Sequence, residues 1–117
     1  MVEDGGGEVE RTIRRAIGGD PGAISWIEAH ADSTVEPTVI AMAALLEGRP
    51  ERIGRALAVA VTSRDRQLVA IAAAHLRGDH QLVDALARDH LVDHPDSFMV
   101  AWIASDAADR ARGLDHL

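Results

Sequence analysis

The feature that most constrains this chain is an internal repeat. Sliding the sequence by 30 residues aligns Gly18, Gly48 and Gly78, and self-similarity at a fixed period of about 20–50 residues marks stacked supersecondary units. Two of these glycines sit in similar text, Leu46-Glu47-Gly48-Arg49 and Leu76-Arg77-Gly78-Asp79. The same shift pairs Val9 with Val39 and Val69, Ile53 with Val83, Val61 with Leu91, and Leu68 with Phe98. Each unit reads as two helices. The first helices are expected near Glu8–Ile17, Pro37–Glu47, Arg66–Arg77 and Ser97–Arg112, and the second near Pro21–Ala31, Pro50–Thr62 and His80–Asp93. Units therefore fall at about 8–35, 36–65 and 66–95, followed by a terminal helix at 96–112. Residues 1–7, acidic and glycine-rich, read as a flexible tail, and 8–117 as one domain.

Punctuation supports this division. Pro21 and Pro50 suit a first helical turn, where a missing N–H costs nothing. Gly18, Gly48, Gly78 and Gly113 stand where a helix end calls for positive φ. Asp79 and Asp96 are expected caps, and Ser33 with Glu36 has capping-box spacing. Val39 to Leu46 is apolar on every face, and Leu68 to Ala74 nearly so, as in helices covered all round. The second helices are amphipathic: Ile53, Ala56, Leu57, Ala60 and Val61 form one stripe, and Leu82, Val83, Leu86 and Leu91 another. The expectation is an all-α fold of about seven helices, with antiparallel hairpins stacked as a short α-solenoid. A compact helical bundle is the alternative.

The segment Leu76-x-Gly78-Asp79, followed by His90-Leu91-x-x-His94-Pro95-Asp96, resembles the second half of a tetratricopeptide repeat. A glycine-aspartate opens the second helix there, and a leucine precedes the closing proline by four residues. The resemblance covers Leu76–Ser97. The chain also departs from the family: its period is nearer 30 than 34 residues, Val83 replaces an alanine within the matching segment, and Val35 and Asp65 stand where the closing proline belongs in the earlier units. The resemblance implies a helical scaffold for partner binding. It transfers no functional residue.

Composition narrows the roles. A formal charge of −7 opposes phosphate-backbone binding, so no nucleic-acid partner is expected. Zero cysteines exclude a disulfide scaffold and a thiolate metal site. No apolar run reaches the roughly 18 residues of a membrane span, and the start of the chain is unlike a signal peptide, so a cytoplasmic location and no membrane partner are expected. All 12 basic residues are arginine, a composition of GC-rich bacterial genomes.

Four groups of residues are candidates for function. His90 and His94 have the i, i+4 spacing of metal ligands on one helical face, with Asp89 and Asp93 beside them. No His-Glu-x-x-His arrangement accompanies them, so the expectation is no metal and no cofactor, with a ligand- or metal-binding third hairpin as the alternative. The carboxylate pairs Asp79 with Asp84, Asp89 with Asp93, and Asp106 with Asp109 fall on turns and polar faces, and no nucleophile motif or phosphate loop occurs, so no enzymatic activity is expected. Arg49, Arg52 and Arg55 recur every three residues as a basic stripe, open to an acidic segment or paired with Glu47, Glu51 and Asp65. Phe98, Met99, Trp102 and Ile103 make an apolar terminal helix; part of it must cover the preceding hairpin as core, and the rest, with no later helix to cover it, reads as a partner surface or a homodimer interface. The functional expectation is a non-enzymatic module that binds a protein or peptide.

Overall fold

Proline, glycine and the capping side chains divide the chain into helices. The computed structural model describes residues 5–115, with side chains described for 7–112. The helices are α1 (Gly5–Ile17), α2 (Pro21–His30), α3 (Pro37–Glu47), α4 (Glu51–Val59), α5 (Ser63–Leu76), α6 (His80–Asp93) and α7 (Phe98–Asp115). The fold is all-α, and no strand occurs among the described residues.

Most ends follow local chemistry. Asp20 Oδ1 accepts from the Gly22 N–H at 3.1 Å, so α2 starts with a cap and a proline. Asp79 Oδ1 accepts from Leu82 N at 3.2 Å, as the sequence suggests for α6. Gly48 ends α3 at φ 64° and Gly78 follows α5 at φ 75°, conformations that cost most residues the clash of a Cβ.

Other ends differ from the sequence reading. Gly19 (φ 90°), not Gly18, takes the left-handed turn after α1, and α7 runs through Gly113 to Asp115. Gly5–Gly7 belong to α1, while residues 1–4 and 116–117, His116 among them, lie outside the described residues. Thr62 caps α5 by accepting from Asp65 N at 3.0 Å, so α5 starts earlier than expected and α4 ends sooner, with Ala60 extended. Ser33 and Glu36 form no capping box: Glu36 precedes α3 without a side-chain cap, and its N–H is donated to Thr34 Oγ1. Asp96 makes no capping bond among the described residues, and Pro50 stands one residue ahead of α4.

The odd-numbered helices hold the core. In α3 every side chain from Val39 to Ala44 is buried, and α5 buries Leu68, Val69, Ile71, Ala72 and Ala74. Each large apolar side chain so removed from water contributes about 1.5–3 kcal/mol. Alanine at the remaining positions lets the helices approach. The outer helices bury less. Of the expected α4 stripe, Ala56 and Ala60 are buried, but Leu57 is exposed on the helix and Val61 lies exposed beyond its end at Val59.

Successive hairpins pack in order, α3 on α4 and α5, and α5 on α6 and α7. One contact breaks that order: α1 packs against α7 as well as α2 and α3. Arg14 lies over the Phe98 ring at 4.0 Å, and Arg64 reaches Glu10 at 4.0 Å. The first and last helices are thus neighbours, and the row of hairpins closes into a globule with a radius of gyration of 13.7 Å.

Candidate functional site

Closure decides what the terminal helix exposes. The expected apolar partner surface divides: Met99 and Ile103 are 1% and 0% exposed, Phe98 is 45% exposed, and Trp102 is half-buried. Met99 and Ile103 are therefore core, on a helix that packs against α1, α5 and α6.

The arginine stripe is also largely spent inside the fold. Arg52 bridges Glu47 at 2.8 Å and Asp32 at 2.7 Å, its side chain nearly buried. Arg55 donates to the carbonyls of Ala31 and Thr34, so it clamps the segment between α2 and α3. Arg49 stays exposed and pairs with Glu51 at 3.1 Å and Glu47 at 3.7 Å. The Arg52 guanidinium holds the Asp32 carboxyl below its usual range, and its own hydrogen bonds to Asp32 and Glu47 push the arginine up in return. Instead of a free basic stripe there is a staple between α4 and the preceding loop.

His90 and His94 do come together, with ring centroids 4.8 Å apart at the end of α6. His90 is buried, and its Nδ1 lies 2.8 Å from Gln67 Oε1 on α5. A neutral ring that donates from Nδ1 leaves Nε2 as a bare lone pair, and that atom is buried without a partner. Burial, and then the neighbouring His94 and Arg64 charges, push the His90 imidazole below its usual range, opposed by Asp93. Asp89 and Asp93 line the small cavity of about 200 Å³ beside it, yet no group of three His, Cys, Asp or Glu is placed to hold a metal among the described residues. His30, in the same repeat register, donates from Nδ1 to its own helix at Trp26 O and stacks on the Trp26 ring at 4.1 Å.

A different set of residues forms a recess in which charged side chains meet. The C-terminal turn of α3 contributes Leu45 and Leu46, followed by Gly48. The end of α5 contributes His75 and Leu76, and the middle of α7 contributes Trp102, Asp106 and Arg110. Together they line an open groove of about 380 Å³. Its walls are apolar and its polar groups converge: His75 Nε2 and Arg110 Nε each lie 2.8 Å from Asp106 Oδ2. The His75 side chain is only 9% exposed, and its Nδ1 is buried without a hydrogen-bond partner. Burial pushes the Asp106 carboxyl up, but the hydrogen bonds from Arg110 and His75 outweigh it and hold the group below its usual range. Asp106 is therefore a fixed anion. Oδ1 receives no hydrogen bond among the described residues.

An apolar recess with a few convergent polar groups is the ordinary form of a binding site. Neither serine, threonine nor cysteine lines it. No sequence motif marks this recess, because Leu45, Leu46 and Leu76 read as core. One signal was present nonetheless: His75 and Asp106 are 31 residues apart, about one repeat, which places them on adjacent odd-numbered helices. Two further recesses lie elsewhere, an alanine-lined one of about 380 Å³ between α6 and α7 near His80, and a smaller one of about 150 Å³ where α1 crosses the starts of α3, α5 and α7. Comparison with family models, curated proteins and solved structures finds no match to this chain.

Proposed function

We propose that this chain is a non-enzymatic helical-repeat module, similar to tetratricopeptide repeats, that binds a protein or peptide segment in the groove between α3, α5 and α7. The observation that carries the reading is the groove itself. Three helices of successive units set Leu45, Leu46, Leu76 and Trp102 around one fixed Asp106–His75–Arg110 cluster. Half-buried leucines and a tryptophan supply contact area, and polar groups already held in place supply orientation without an ordering cost at binding. The order of the hairpins and their 30-residue spacing support the repeat part of the reading.

A random dodecapeptide display library selected on the immobilised full chain tests it. Selected peptides are expected to bind the wild type and to lose binding to Leu46→Asp and to Trp102→Ala, with both variants melting cooperatively. Peptides that bind both variants as well as the wild type would place recognition elsewhere. Failure to select any peptide would count against an interaction module.

A further inference from the structure

We infer that the segment bound in the α3/α5/α7 groove is basic, presenting a lysine or arginine beside a bulky apolar side chain; the inference rests on the interaction function proposed above. Three observations agree on the sign. The groove lies at the C-terminal ends of α3 and α5, where the aligned peptide dipoles leave partial negative charge. Asp106 is held ionised, and both of its donors fall on Oδ2, so Oδ1 remains to accept from an incoming cation. Trp102 lines the same recess and offers an aromatic surface of the kind that attracts cations. Around the groove, the chain as a whole carries a charge of −7, which favours encounter with positive segments.

Among the residues that line the groove, Arg110 is the one arginine. Its side chain is 65% exposed and holds Asp106 through a single i, i+4 ion pair, the kind that contributes little to stability. An incoming lysine or arginine takes Oδ1, while His75 and Arg110 keep their places on Oδ2. An acidic ligand has no such option, since it would meet Asp106 and two helix C-termini with the lining arginine already paired. Leu45, Leu46 and Leu76 then take the neighbouring apolar side chain.

The test uses the peptides selected from the dodecapeptide library and, for the tightest, a synthetic twin in which its basic residue is exchanged for glutamate. Lysine or arginine next to an apolar residue is expected to be enriched. Exchange to glutamate is expected to weaken binding about tenfold or more, a change of about 1.4 kcal/mol. Asp106→Asn should weaken the basic peptide similarly while melting within a few degrees of the wild type. Arg110→Ala should bind it more tightly, because a competing cation is gone. Acidic or uncharged peptides that still require Leu46 and Trp102, or weaker binding by Arg110→Ala, would overturn the basic partner while leaving the interaction function standing. If no peptide is selected, both fall.

Discussion

Arg14 on α1 lies 4.0 Å over the ring of Phe98 on α7, so a contact between residues 84 positions apart joins the two ends of the fold. The pair sits at the surface, where a cation over an aromatic face contributes about 0.5–1 kcal/mol. A double-mutant cycle with Arg14→Ala and Phe98→Ala should return a coupling energy in that range. Coupling near zero would show that α1 docks on α7 through Ile13 and its apolar neighbours alone.

Burial of His90 gives the fold a pH dependence with a definite sign. The unfolded chain binds a proton at His90 near the ordinary value of about 6.5, whereas the folded chain, with its pKa lowered, does not. In the window between the two values the unfolded state holds more protons, so stability rises with pH and falls as pH drops below about 6.5. Urea melts from pH 5 to 8 should show this slope, at most about 1.4 kcal/mol per pH unit for one proton. His90→Gln should flatten it. An unchanged slope in that variant would assign the effect to another group.

Two glycines should respond in opposite directions to alanine. Gly48 has φ 64° with open space where a Cβ would project, so Gly48→Ala carries only the left-handed backbone cost of about 1–2 kcal/mol. Gly54 lies inside α4 at ordinary helical geometry, also with open space, and Gly54→Ala should stabilise by about 0.8–1 kcal/mol. Thermal melts of the two variants, shifted in opposite directions from the wild type, check both.

Arg55 should behave as a structural residue. It donates to two backbone carbonyls in the segment that links α2 to α3. Arg55→Ala leaves those carbonyls without their charged donor, a loss of about 1.5–3 kcal/mol for a hydrogen bond of this kind. Denaturant unfolding should show it, with peptide affinity in the groove unchanged once the variant is folded.

The all-α class and the helix order were legible because prolines, glycines and a 30-residue register are local signals. Asp79 as a cap, Gly48 and Gly78 as helix ends, and the burial of Val39 to Ala44 follow directly from neighbouring residues. What escaped was long-range. The expected exposure of Met99 and Ile103 assumed an open row of hairpins, and nothing in the local text says that α1 returns to cover α7. The pairing of Arg49 and Arg52 with Glu47 and Glu51 was legible, but Asp32, Ala31 and Thr34, which also engage Arg52 and Arg55, lie 20 to 24 residues away. The groove was hidden for a related reason: a half-buried leucine and a core leucine have the same neighbours in sequence.

Backbone and indole chemical-shift mapping tests the groove most directly. A peptide selected on the full chain is titrated into the isotope-labelled protein, and the shifts are followed residue by residue. The largest changes are expected at Leu45, Leu46, His75, Leu76, Asp106 and the Trp102 indole N–H. Changes centred on Trp26, Leu57 and Val61, the exposed apolar side chains on or beside the outer helices α2 and α4, would contradict the assignment of binding to this groove.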